Sequence, residues 1–291
     1  MTTLGDIAEL VRAPAALSVP GDALAGATVT GTLSARTAGL SAASVCLYWA
    51  GMAANDWADR DLDAKERPER PIPSGRVASG AAFGVAATLT AAGLTLAGLA
   101  GGRRALAVAA ALAGAVWWYD TGLKGTPAGP AAMAACRGLD VLLGASSGQW
   151  RRAAVPALTV AAHTYTVTVL SRREVSGGSS LLPAATLASS TAVAAGSAAA
   201  AAADRRQQSW WRRALPGGLA AWYAASYGRA QVHALAQPDA GHMRAAVSAG
   251  ITVLPTLQGA LIARSGAPGT GLAVAAAAPL GRRLARWLSP T

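Results

Sequence analysis

The sequence predicts an all-α membrane protein that crosses the bilayer about nine times, and three observations carry that expectation. The 291-residue chain is 53% hydrophobic and only 13% charged. Soluble domains carry about 25% charged residues, so this chain cannot cover a globule with charge. The stretches 81–100, 153–170 and 181–203 contain no Asp, Glu, Lys or Arg, and each approaches the roughly 20 residues needed to cross hydrocarbon. Because lipid offers the backbone no hydrogen-bond partners, long apolar runs in place of short alternating strands must cross as helices.

Apolar runs divided by Gly, Pro and Arg place spans at 16–35, 38–58, 77–100, 104–120, 127–147, 153–171, 181–203, 243–264 and 268–288. Between the second and third lies the only markedly polar insert, 59–77. Paired arginines such as Arg103/Arg104, Arg151/Arg152, Arg172/Arg173 and Arg205/Arg206 sit in the short connections. This distribution assigns the net charge of +11 to membrane flanking and gives no nucleic-acid partner. The stretch 212–237 follows Trp210 and Trp211, holds Trp222, Tyr223 and Tyr227 beside several arginines, and reads as an amphipathic helix on the membrane surface, with a tenth span as the alternative. The connections 59–77, 121–127 and 172–180 share one side and carry eight Lys and Arg against five opposite, which places them in the cytoplasm of a cell that inserts the chain in its cytoplasmic membrane. Residues 1–291 read as a single transmembrane domain with no internal repeat, and no cleaved signal peptide is recognisable at Met1. Abundant Ala, Gly, Ser and Thr suit close helix packing. Cys46 and Cys136 read as reduced, packed thiols. The three histidines lack metal-ligand spacing, and no phosphate-binding glycine loop is present.

Chemistry concentrates at the end of the second span, Asn55-Asp56-Trp57-Ala58-Asp59-Arg60-Asp61-Leu62-Asp63. On a helix Asn55, Asp59 and Asp63 fall one turn apart and Asp56 lies three residues before Asp59, so four oxygen-bearing side chains share a face. Stacked carboxylates repel, and a helix C-terminus disfavours them, so the arrangement asks for a cation. Hard oxygen donors with room for water and phosphate favour Mg²⁺. The competing reading is a solvated acidic helix end balanced by Lys65, Arg67 and Arg70.

The run resembles the first aspartate-rich motif, NDxxDxxxD, of the UbiA superfamily of intramembrane prenyltransferases, and Glu69-Arg70-Pro71-Ile72-Pro73-Ser74-Gly75 resembles that family's ERPIPSG loop. Leu123-Lys124 and the stretch from Cys136 to Gly144 look most like the bacterial EboC-type branch. The resemblance implies a bundle of nine helices with a lateral, lipid-open cavity. It implies a polyprenyl diphosphate held through Mg²⁺ on Asn55, Asp56, Asp59 and Asp63, with Arg67, Tyr119, Lys124 and Arg137 at the diphosphate. Asp56, Asp59, Lys124 and Arg137 then serve catalysis by stabilising the leaving group. The prenyl group passes to an unidentified acceptor, or, in the alternative, the same chain captures its own cation, as in a terpene cyclase. For Arg137 the competing reading is an internal pair with Asp140.

One departure from the family is plain. Where a second aspartate-rich motif belongs, the sixth span has no Asp, and Tyr165, Thr168, Arg172 and Glu174 fall at near-helical spacing instead. That face offers hydroxyls and a guanidinium to the diphosphate and, in Glu174, one further metal ligand; Asp120 and Asp140 are alternatives for the missing ligand. His163 reads as a packed residue. The aromatic groups Tyr48/Trp49 and Trp117/Trp118/Tyr119 suit either shielding of a carbocation or the membrane-interface belt.

Overall fold

In the computed structural model, which describes residues 2–203 and 209–288, every regular element among the described residues is helical. In chain order these are α1 (Leu4–Leu10), α2 (Pro20–Thr30), α3 (Ala35–Ala58), α4 (Arg60–Glu66), α5 (Ser79–Trp118), α6 (Gly129–Gly144), α7 (Ala154–Ser171), α8 (Leu181–Ala203), α9 (Trp210–Ala236), α10 (Ala240–Arg264) and α11 (Pro268–Leu288). Five segments among the described residues are long and apolar enough to cross a membrane: Ala35–Ala58, Ser79–Leu123, Trp150–Ser171, Leu181–Ala199 and Ala240–Arg264. The Arg205/Arg206 pair expected to flank the bilayer lies outside the described residues.

The expected spans at 77–100 and 104–120 form one helical hairpin. Gly102 leaves helical geometry at φ 69°, a conformation that costs a residue without Cβ little. The chain then folds back, so that Trp117 Nε1 donates to Thr90 Oγ1 at 3.1 Å and the Trp117 ring lies 5.9 Å from Phe83. Both limbs of α5 pack on α3, and the α3–α5–α6 core is built from small residues around Leu40, Leu47, Leu112 and Leu143.

Two expectations are corrected. The stretch 16–35 is not one span: a short 3₁₀ turn is followed by the eleven-residue α2, which begins at Pro20 and ends where Gly31 adopts a left-handed φ of 71°. Proline at the first turn and glycine just past the last turn punctuate a short helix. The stretch 212–237 does not stand apart from the bundle as a surface helix. It is the body of α9, packed between α8 and α10, with Tyr223, Tyr227 and Gln231 fully buried. The opposite face keeps Trp210, Trp211 and Trp222 exposed, the aromatic signal that suggested an interfacial helix. His163 is a packed residue: its ring is hydrogen-bonded to Tyr223 Oη at 2.9 Å and to the Gly250 carbonyl oxygen at 3.1 Å. Both cysteines are free.

α2 and α6 cross in direct backbone contact. A Cβ at Gly26 would overlap the Val141 carbonyl oxygen, and one at Gly144 would overlap that of Ala23, so each helix presents its backbone directly to the other. The obstacles are backbone atoms, which cannot rotate away. Gly144→Val is expected to destabilise the protein by about 3 kcal/mol or to abolish its folding, whereas Gly114→Ala, which meets nothing within 4 Å, is neutral. Thermal unfolding of both variants in detergent checks this.

Candidate active site

The connections at 59–77, 119–128 and 172–180 meet at one end of the bundle, as alternation of the spans predicts. Arg172 at the C-terminus of α7 donates to the carbonyl oxygens of Lys124, at 3.1 Å, and Thr126. Lys124 itself reaches Asp59, with Nζ 2.5 Å from Oδ2. The helical spacing of the acidic run survives the change from α3 to α4: the Asp59 amide donates to the Asn55 carbonyl at 2.9 Å, and the Asp63 amide to the Asp59 carbonyl at 2.8 Å.

Each acid on that face has its own cation. Arg70, from the loop after α4, places Nη1 2.6 Å from Asp63 Oδ2 and 3.3 Å from Asp56 Oδ1. Arg12 approaches Asp56 from the opposite side, with Nη2 2.9 Å from Oδ1. Asp56 and Asp63 are almost wholly buried, and breaking such a buried pair by removing one partner is costly. Arg12 is the one non-glycine residue with positive φ among those described, at 47°. Strain of this kind persists where surrounding contacts enforce it. Next to it in the chain, α1 is tied down: Arg76 binds Asp6 at 3.0 Å and Glu9 at 2.6 Å, fastening α1 to the loop that carries Arg70. Hydrogen bonds from the Thr3 backbone and hydroxyl, and then Arg76, hold the Asp6 carboxyl below its ordinary pKa.

The residues fit a hard divalent cation, although no three His, Cys, Asp or Glu side chains among those described are gathered as a ready ligand set. Asp56, Asp59 and Asp63 offer only oxygen donors. A guanidinium nitrogen of Arg70 already bridges two of them, and Asp63 Oδ1 is buried without a hydrogen-bond donor. The expected fourth donor, Asn55, turns its amide to Asp120, with Nδ2 3.1 Å from Oδ1.

A cavity of about 210 Å³ opens behind these groups, between α3, the second limb of α5, and α6. One pole is lined by Arg12, Asn55, Tyr119 and Asp120, the waist by Leu47, Met52, Leu112, Val116 and Met133, and the far pole by Ser44, Arg137 and Asp140. Tyr48 also lines it, whereas Trp117 packs on Phe83 and Trp118 is 66% exposed. Of the two aromatic groups, then, only Tyr48 and Tyr119 face the cavity.

The sixth-span residues gather less well. Tyr165 is 47% exposed, and Thr168 spends its hydroxyl proton on the Thr164 carbonyl at 2.9 Å. Arg172 is engaged by backbone carbonyls. Glu174 is not among the residues lining the cavity, and desolvation raises its pKa against the opposing pull of Arg244 and Arg67. Arg67 is half exposed, 3.6 Å from Asp63 Oδ1. Arg137 pairs not with Asp140 but with Asp22 on α2, at 2.9 Å, and Asp140 instead accepts from Ser44 Oγ at 2.5 Å. Arg12 and Asp22 were not singled out from the sequence: each is a lone charge far along the chain from its partner, and no spacing rule connects them.

Solved structures share this architecture. One, concerning digeranylgeranylglyceryl phosphate synthase in membranes, superposes with a TM-score of 0.66 at 16% identity, covering 90% of this chain and 98% of that one. The apo structure of a UbiA homologue from Aeropyrum pernix gives 0.63 at 21% identity, covering 89% and 97%. At such identities the likeness shows the fold. By sequence, the chain is 39% identical over 132 residues to a digeranylgeranylglyceryl phosphate synthase of Methanopyrus kandleri, covering 45% of this chain and 47% of that protein. It is 41% identical over 71 residues to the enzyme of the same name from Ignicoccus hospitalis, covering 24% and 23%. The match therefore spans less than half the length of each of these relatives. The model of the UbiA prenyltransferase family matches residues 16–236, most of the chain, and the protein belongs to that family.

Proposed function

We propose that this chain is a Mg²⁺-dependent intramembrane prenyltransferase that ionises an allylic polyprenyl diphosphate and transfers the prenyl group to an acceptor. The observation that carries the proposal is the continuity of the cavity: a pole lined by Arg12, Asn55 and Asp120 opens directly onto an apolar waist, the two chemistries of a lipid diphosphate. Residues 1–291 act as one transmembrane unit in the cytoplasmic membrane, with the ionic pole on the cytoplasmic side. The short helices α2 and α6, together with α9 and α11, complete the bundle around the five long apolar segments.

Asp56, Asp59 and Asp63, with Asn55, would hold the ion. Bound there, Mg²⁺ supplies a Lewis acid for the charge that develops on the diphosphate. Arg12 sits on Asp56, Lys124 on Asp59 and Arg70 on both Asp56 and Asp63, and all three turn to the diphosphate oxygens as the substrate enters. The C1–O bond breaks with its electron pair on the diphosphate. Tyr48 and Tyr119 face the allylic cation. The acceptor nucleophile then forms its bond to C1, and its proton leaves with the diphosphate.

Membranes containing the protein, supplied with farnesyl and geranylgeranyl diphosphate, test this by diphosphate release. Release that needs both Mg²⁺ and an added lipid extract as acceptor is expected, with chelation abolishing it. Hydrocarbon or terpene alcohol formed without any acceptor would replace transfer with cyclisation. No release from any prenyl diphosphate would end the proposal.

A further inference from the structure

We propose that Asp120 is the positioning residue of the divalent-ion site: it fixes the Asn55 amide and leaves the amide oxygen to the ion. This rests on the metal-dependent reaction proposed above and deepens it. Asp120 comes from the single π-helical turn Tyr119–Leu123 that follows α5, in which the Lys124 amide donates to the Tyr119 carbonyl at 3.0 Å. Such turns are rare and gather at functional sites. This one delivers two contacts to the acidic face of α3. Asp120 Oδ1 accepts from Asn55 Nδ2 at 3.1 Å, and Lys124 Nζ lies 2.5 Å from Asp59 Oδ2. Arg172 anchors the turn from α7 through the Lys124 and Thr126 carbonyls. Gly51, one turn before Asn55 on α3, lets the turn come close: a Cβ there would stand 2.7 Å from Val116 Cγ1 and 3.6 Å from Asp120 Oδ2.

Packing alone does not account for Asp120. It is 4% exposed and lines the cavity, and among the described residues the hydrogen bond to its carboxylate comes from a neutral amide. Lys124, four residues on, is engaged by Asp59. Burying a carboxylate on a neutral partner costs stability that an apolar side chain of the same volume would not. What the arrangement fixes is a direction. A carboxylate oxygen only accepts, so Asn55 must meet it through nitrogen, and the amide oxygen then takes the other branch, away from Asp120. Asn55 is a hard oxygen donor only in that orientation; turned over, it would offer its NH₂ group to a cation. A metal ligand held by a hydrogen-bonded neighbour typically loses about 10–100-fold in metal affinity when the neighbour is removed. Asp120 acts through Asn55 and is not itself a ligand.

The test measures Mg²⁺ affinity itself, by isothermal titration calorimetry on detergent-solubilised protein with no prenyl diphosphate present. Asp120→Leu, which keeps the volume and removes the acceptor, is expected to weaken Mg²⁺ binding at least about ten-fold. Asp120→Asn still accepts from the Asn55 amide and is expected to stay within about three-fold of the wild type, the loss of one screened charge. In the Asn55→Ala background there is no amide to orient, so adding Asp120→Leu is expected to change affinity by less than about three-fold, and the double-mutant cycle isolates the pair. Should Asp120→Leu not fold, Asp120→Ala removes the same acceptor without adding bulk. Loss by Asp120→Asn equal to that of Asp120→Leu, equal loss in both backgrounds, or unchanged affinity in every Asp120 variant would overturn the positioning role, while the proposed reaction would stand. Absence of Mg²⁺ binding to the wild-type protein would overturn the metal site and the positioning role together.

Discussion

Replacing Asp56 with Asn lowers metal-dependent diphosphate release at least about a hundred-fold, the scale seen when one preorganised electrostatic group is removed from a reacting oxyanion site. The change keeps the volume and one oxygen acceptor but deletes the charge. Asp56 is the acid with the most cationic attention, 2.9 Å from Arg12 and 3.3 Å from Arg70, and it is 4% exposed, so neither water nor a neighbouring acid can take its place. Without it, two guanidinium groups lose a shared anion at the mouth of the cavity, and the oxygen set for the divalent ion shrinks to Asn55, Asp59 and Asp63. Asp61 provides the control within the same run. Its side chain is 88% exposed and touches only Arg60, at 3.7 Å, so Asp61→Asn leaves release within about two-fold, as expected for a surface pair of little energetic weight. Diphosphate assays on membranes, with protein quantified after size-exclusion chromatography, separate lost chemistry from lost fold. Release by Asp56→Asn at the wild-type rate would remove this carboxylate from the site.

What the sequence made legible follows from which interactions are local. Apolar runs such as 153–170 announce themselves because a bilayer demands length and apolarity of every residue in the span. The break between the two limbs of α5 was visible as Gly101-Gly102-Arg103-Arg104 for the same local reason, since only glycine reaches the φ of 69° at the turn cheaply. The acidic face of Asn55, Asp59 and Asp63 was legible because helical spacing is a property of the chain itself. Errors began where packing decides. α9 carries an interfacial composition at its first turn, yet Tyr223 and Tyr227 are buried because His163 and Thr166, some sixty residues earlier on α7, receive their hydroxyls. α2 was overextended, although Pro20 and Gly31 were in view, because its apolar neighbours hid the punctuation. The partners of the acids could not be read at all. Arg12 meets Asp56 across 44 residues, and Asp22 meets Gln258 across 236.

Arg70→Ala makes the stability of the protein depend on divalent metal. In the wild-type protein the Arg70 guanidinium bridges Asp63 and Asp56, at 2.6 and 3.3 Å, and both side chains are at most 5% exposed. Removing one partner of a buried ion pair costs about 3–5 kcal/mol, because the charge left behind is desolvated and unpaired. The lower end applies here, since Arg12 still holds Asp56, and Arg67 lies 3.6 Å from Asp63. With chelator present, the variant therefore unfolds at a markedly lower temperature than the wild type. Added Mg²⁺ restores it, by about 2.7 kcal/mol at a hundred times the dissociation constant. The restoration exceeds the shift that the same Mg²⁺ produces in the wild-type protein, because there the ion must first displace Arg70 from the same oxygens. Thermal melts of both proteins in detergent, across a Mg²⁺ titration, measure the difference directly. Equal metal shifts in the two proteins would mean that Arg70 and the ion do not compete, and that the Asp56 and Asp63 oxygens are held for the guanidinium alone.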